Sequence, residues 1–129
     1  MARVTGIGGV FFKARDREAL LAWYREHLGI ESDEYGFAFD WRDTGGPDRP
    51  GYTVWGPFKH DTTYFEPSTA PFMINFRVDD LDALLAKLRA AGVDVDDRVE
   101  DHRYGRFGWV MDPEGNKIEL WEPNEVPPL

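Results

Sequence analysis

The sequence predicts an α+β fold made of two tandem βαβββ modules, and three observations predict it. The first is an internal repeat: Phe12-Lys13-Ala14-Arg15-Asp16 and Glu18-Ala19-Leu20-Leu21-Ala22 are answered by Phe76-Arg77-Val78-Asp79-Asp80 and Asp82-Ala83-Leu84-Leu85-Ala86. The second is that each copy passes from a period of two to a helical period and stops at glycine, in Leu28-Gly29-Ile30 and Ala91-Gly92-Val93. The third is that Tyr52-Thr53-Val54-Trp55-Gly56-Pro57 reappears as Ile118-Glu119-Leu120-Trp121-Glu122-Pro123. A unit present only twice indicates two fused copies of a small module, because a solenoid needs about three or more repeats.

Each element has its own justification. Ile7 to Ala14 alternates as a strand, with Val10, Phe12 and Ala14 on one face and Gly9, Phe11 and Lys13 on the other. Asp16 caps a helix whose Leu20, Leu21, Tyr24 and Leu28 share a stripe, and Gly29 supplies the stop. Strands then follow at 36–41 and 52–55, joined by the turn Asp43 to Asp48. In the second copy Ile74, Phe76 and Val78 oppose Met73, Asn75 and Arg77, and Asp79 or Asp80 caps a helix with Leu81, Leu84, Leu85 and Leu88 inward. Strands at 106–111 and 117–121 flank Asp112-Pro113-Glu114-Gly115-Asn116, where proline presets one turn angle and glycine takes positive φ. A further strand is expected directly after each helix. The chain divides into module 1–58, a linker 59–71 carrying two prolines, and module 72–129, together one domain.

Composition narrows the function. With 129 residues there is enough chain to bury a core, and no apolar run has the length of a membrane span. Without cysteine there is no disulfide framework, thiolate nucleophile or sulfur-ligated metal. The net charge of −9 argues against nucleic acid, whose binding needs lysine and arginine on phosphates. The first residues carry no apolar stretch of a signal peptide, so the expected location is cytoplasmic.

The tail Gly105-Arg106-Phe107 through Asp112-Pro113-Glu114-Gly115-Asn116-Lys117-Ile118-Glu119-Leu120 resembles the C-terminal signature of the vicinal oxygen chelate superfamily. This superfamily includes glyoxalase I, bleomycin- and fosfomycin-resistance proteins and extradiol dioxygenases. Asp16, Trp23-Tyr24 and Leu28-Gly29 are similar to its N-terminal module. The resemblance implies a curved-sheet cup with helices outside. It also implies metal ligands from the first and last strands of each module, at positions occupied here by Gly9, Thr53, Met73 and Glu119. Glycine offers no donor, neutral threonine is a poor ligand, and thioethers suit soft ions. One carboxylate does not make an open catalytic site, which ordinarily takes about three protein ligands. The expectation is therefore no metal and no cofactor.

The candidate site residues follow. Glu119 is either a general base or ligand-holding carboxylate, or a remnant paired with Arg77 or Lys117. His27, near a helix end, suits the helix dipole, while Tyr104 and His60 are the candidate catalytic partners of Glu119. Alternation counted from the repeat places Phe11, Trp55 and Trp121 inside the cup, with Phe37, Phe39, Trp41, Phe107, Trp109 and Met111 as a second set. Thr53, Met73, Asn75 and Arg77 complete the candidate binding residues.

An aromatic concavity with a few polar groups is the usual form of a small-molecule pocket. The first expectation is thus a small-molecule-binding protein that sequesters a planar or cationic compound. The alternative is a glyoxalase-like lyase or isomerase, or a dioxygenase, using Glu119 as base or sole remaining ligand. A homodimer is expected, because sheet edges need cover and a twofold pair is the commonest way to supply it.

Overall fold

The computed structural model describes residues 2–28, 30–40 and 51–124. Its strands are β1 (Val4–Ala14), β2 (Phe37–Asp40), β3 (Tyr52–Lys59), β4 (Phe72–Val78), β5 (Val95–His102), β6 (Gly105–Met111) and β7 (Lys117–Pro123). Helix α1 (Arg17–Leu28) follows β1, and helix α2 (Leu81–Ala90) follows β4. The strands form one mixed sheet in the order β2-β3-β1-β4-β7-β6-β5, the expected α+β architecture. The second module shows all its expected strands. In the first, an isolated bridge between Asp33 and Gly36 stands where a strand was expected after α1. Trp41, Gly29, the turn 43–48 and residues 125–129 lie outside the described residues.

The modules join edge to edge within the chain through antiparallel β1 and β4, with Gly9 opposite Asn75, Val10 opposite Ile74 and Phe11 opposite Met73. Both helices start alike. Asp16 accepts the Ala19 N–H at 3.0 Å and Asp80 accepts the Ala83 N–H at 3.1 Å, each satisfying one donor a helix start leaves free. Asp79 does not cap; it accepts the Arg3 N–H at 2.9 Å. Gly92 takes φ +82° to end α2.

Packing differs between the helices. Leu81, Leu84 and Leu85 of α2 are buried against Val78, Val110 and Leu120, at about 1.5–3 kcal/mol per side chain. Helix α1 buries Leu21 and lays Tyr24 on Trp55 with ring centroids 4.6 Å apart, while Trp23 stays exposed.

The opposite face is concave. Strands β3 and β7 are three positions apart in the sheet, about 14 Å if it were flat. Yet the rings of Tyr52 (β3) and Trp121 (β7) meet at 5.0 Å, so the sheet curls toward this side. Tyr35 and Tyr104, near opposite edges, approach to 6.3 Å at the rim.

Candidate functional site

Strand register builds the centre of the concave face. Parallel pairing of β4 with β7 sets Asn75 beside Glu119, and antiparallel pairing of β6 with β7 sets Trp109 on its other side. Paired residues point the same way, so these three side chains converge. The Asn75 Nδ2 donates to Glu119 Oε1 at 2.7 Å, and the Trp109 indole N–H donates to Oε2 at 2.9 Å. The Tyr64 hydroxyl donates a third hydrogen bond, also to Oε2.

Tyr64 comes from the segment between β3 and β4, which lies across the concavity as a strap. Local turn bonds shape it: Thr62 N–H to Lys59 O, Glu66 N–H to Thr63 O and Ser68 N–H to Phe65 O. Its far end is held where the Lys13 N–H donates to Pro71 O at 2.8 Å. Phe65 is fully buried among Met73, Trp109, Phe11, Phe58 and Phe107. Tyr64 stacks on Phe58 at 5.7 Å and meets Trp109 edge-on at 6.3 Å. Lys117 is buried beneath and donates to the Tyr64 carbonyl at 2.6 Å. Neither Tyr64 nor Phe65 was anticipated. The available signal was two adjacent aromatics in an otherwise polar linker, since Phe is among the residue types most often buried.

Electrostatics follow from this enclosure. Glu119 is 2 % exposed, and burial pushes its carboxyl above the usual carboxylate range, opposed by the hydrogen bonds from Tyr64, Asn75 and Trp109 and by the Lys117 charge. Burial, and next the adjacent carboxylate, push the Tyr64 hydroxyl up, so it stays protonated. Burial and then the Arg98 charge lower the Lys117 ammonium. The aromatic faces already carry the chain's own cations. Lys117 Nζ lies 5.2 Å from the Tyr64 ring and 5.5 Å from that of Trp109, Arg98 5.0 Å from Trp109, Lys13 5.8 Å from Phe65, and Arg77 5.6 Å from Trp121.

Of the expected site residues, Phe11, Met73, Asn75, Arg77, Trp109 and Trp121 share the concave face with Glu119 by strand pairing. Trp55 and Thr53 are turned to the other side, a correction to the alternation counted from the repeat. Trp55 packs on Phe12 and Tyr24 beneath α1, and the Thr53 hydroxyl donates to Ile7 O at 2.8 Å. Phe37 and Phe39 pair with Trp55 and Thr53 and share their face.

The cause is register. Phe11 and Asn75 are equivalent, each five residues before its helix-capping aspartate, and they pair with Gly56 and Glu119 respectively. The counterpart of Glu119 is therefore Gly56, three positions from Thr53. An odd shift moves every side chain to the other face. Tyr52 consequently faces the cup, where burial pushes its hydroxyl up to about 12. Tyr104 sits at the rim, its carbonyl accepting the Trp121 indole N–H at 2.8 Å, and His60 is exposed in the turn after β3. Neither is among the hydrogen-bond partners of Glu119 described above.

A divalent metal of the superfamily kind does not fit these residues. A side chain at Gly9 would meet the Phe11 ring at 2.8 Å, Met73 is sealed in the apolar cluster, and both Glu119 oxygens accept hydrogen bonds. Among the described residues no three His, Cys, Asp or Glu side chains are grouped to hold an ion.

This cup of paired modules agrees with the sequence comparison: residues 9–121 match the glyoxalase-like domain, and the chain belongs to that family. Its structural neighbours include a methylmalonyl-CoA epimerase from Streptomyces coelicolor in complex with 2-nitronate-propionyl-CoA, at TM-score 0.67 and 22 % identity, covering 98 % of this chain and 100 % of that one. The methylmalonyl-CoA epimerase from Mycobacterium tuberculosis aligns at TM-score 0.62 and 23 % identity over 94 % of this chain and 89 % of its own. A glyoxalase/bleomycin resistance protein/dioxygenase superfamily member from Vibrio splendidus 12B01 aligns at 0.55 and 14 % over 95 % and 99 %. At these identities the likeness is one of fold. No curated protein matches the sequence.

Proposed function

We propose that this chain binds a planar small molecule in the concave cup, with Glu119 as the polar anchor and no metal taking part. The observation that carries this reading is a buried carboxylate collecting three converging donors inside an aromatic enclosure, one of them from a strap instead of the sheet. Such a carboxylate costs several kcal/mol to bury without partners, so it favours a polar recognition role over packing alone. A neutral planar ligand suits the cup better than a cationic one, because the ring faces already carry Lys13, Arg77, Arg98 and Lys117. A cavity of about 420 Å³ beside the strap, lined by Tyr35, Phe58 and Thr62 among others, gives an approach, since Phe58 is also the wall on which Tyr64 stacks.

Titration calorimetry with a panel of aromatic compounds tests this reading. Binding is expected to be unchanged by divalent ions, and a tenfold gain in affinity on adding one would overturn it. The raised affinity of Glu119 for its proton also supports a base role. Turnover of hemithioacetals or catechols that Glu119→Gln abolishes would favour that enzymatic reading. We also propose a homodimer, for which strand pairing supplies a surface: Val4, Ile7, Val10 and Phe72 lie exposed on the helix-bearing face. Light scattering in physiological salt should return twice the chain mass, and Phe72→Asp should lower it; a monomeric mass for the unaltered chain refutes the dimer.

A further inference from the structure

We infer that Tyr64 is an internal ligand of the cup and that the external ligand is a neutral hydroxyaryl compound which takes its place. This deepens the function proposed above and rests on it. The side chain of Tyr64 is contacted in the manner of a bound phenol. Its hydroxyl donates to Glu119, its ring face lies on Phe58 at 5.7 Å, its flank meets the edge of Trp109, and Lys117 Nζ sits 5.2 Å from its centroid.

Recognition at the far end of the slot requires a donor. Glu119 and the donors around it leave one role open there, that of an O–H aimed at Oε2. An aryl group without a hydroxyl leaves a buried carboxylate short of a partner, and a phenolate would bring a second negative charge against it. The cations already on the rings disfavour an ammonium. These constraints select a neutral phenol from the planar compounds the cup could admit.

Neighbouring strap residues have opposite exposure, and this makes displacement cheap. Phe65 is 0 % exposed and anchors the strap in the apolar cluster, whereas Tyr64 is 38 % exposed. A ligand need only turn one side chain outward, leaving the strap backbone seated through Phe65 and the Lys13–Pro71 bond. Side-chain rotation of this kind is fast compared with strap unfolding.

The experiment uses the full chain with p-cresol, the free equivalent of the tyrosine side chain, against toluene, the equivalent of phenylalanine. In Tyr64→Ala the slot is vacated, and p-cresol should bind at least tenfold tighter than toluene and raise the melting temperature. The unaltered chain and Tyr64→Phe, whose rings still fill the slot, should bind p-cresol at least tenfold more weakly than Tyr64→Ala. If Tyr64→Ala is poorly folded alone, regain of its near-UV signal with p-cresol but not toluene supports the proposal equally. Equal binding of p-cresol and toluene, or equal binding of p-cresol to all three proteins, overturns the internal-ligand inference while leaving an aromatic-binding cup. Absence of binding by any aromatic probe in all three, read from the Trp109 and Trp121 indole N–H signals, overturns both readings together.

Discussion

The two modules start from the same sequence pattern and put opposite chemistry into one cup. At equivalent places on the concave face the second contributes Asn75, Lys117 and Glu119, where the first contributes Phe11, Val54 and Gly56. Their helix-bearing faces differ too: α2 buries three leucines in a continuous cluster, while α1 buries Leu21 and relies on the Tyr24–Trp55 contact. The shared pattern supplies the frame, and the two halves place different residues on it. The second module holds the polar group and the deeper core, and the strap between the modules, backed by Phe58 of the first, covers that group with aromatic surface. The concave face is thereby asymmetric, with the buried Glu119 off its twofold axis and apolar surface at the equivalent place.

The core difference gives the largest predicted effect. Leu85→Ala should cost about 3 kcal/mol of unfolding free energy, within the range for a buried leucine that leaves a cavity. Leu20→Ala, on the half-buried stripe of α1, should cost about 1 kcal/mol, since less apolar area leaves water there. Urea denaturation measures both. Equal losses would show that the helices contribute alike and remove the asymmetry argued from burial.

A glycine sharpens the comparison at the seam. Gly8 sits at a bulge of β1, and a Cβ there would stand 2.0 Å from Asn75 Oδ1 and 2.8 Å from the Trp121 ring. Its equivalent in the second module is Phe72, which lies exposed on the other face. Gly8→Ala should therefore push Asn75 off Glu119 and cost about 2 kcal/mol, between overpacking and a broken buried hydrogen bond. Gly92→Ala, with open space around it, should cost about 1 kcal/mol from its positive φ alone. A loss at Gly8 no larger than at Gly92 would mean that Asn75 is free to move and does not fix Glu119.

Much of the fold was legible because it rests on local patterns. The aspartate caps, the leucine stripe of α2, the Asp112–Asn116 turn and the strand alternation of β1 and β4 are set by residues within a few positions of one another. What failed was register over a distance. Matching Trp55 to Trp121 looked secure from their shared Trp-x-Pro, yet the pairing of Phe11 with Gly56 sets the phase of β3, and no local pattern encodes it. The strap was hidden for a related reason. A linker with prolines reads as solvent-exposed, and only the curl of the sheet creates the hollow that buries Phe65 and brings Tyr64 to Glu119. Glu119, Asn75 and Trp109 were all named from motif and strand alternation, whereas the third partner, Tyr64, comes from the strap and was not.

The smallest predicted effect isolates the charge that distinguishes the modules. The carboxyl of Glu119 is raised in the folded protein, chiefly by burial, above its value in the unfolded chain. Between those two values the folded state holds a proton that the unfolded state has released. The stabilisation from this group is therefore complete below the unfolded value, near 4.3, and is lost as pH rises toward the folded one. Glu119→Gln cannot titrate, so its stability relative to the unaltered chain should improve as pH increases above about 4, by at most about 1.4 kcal/mol per pH unit. The acid-side losses of Asp79, Asp96 and Asp112, all held low by hydrogen bonds, run the opposite way and are common to both proteins, so they cancel in the difference. Urea unfolding of the pair at pH 4, 6 and 8 yields that difference directly. A difference that is flat with pH would mean the three hydrogen bonds offset burial completely, and one that favours the unaltered chain as pH rises would mean they exceed it.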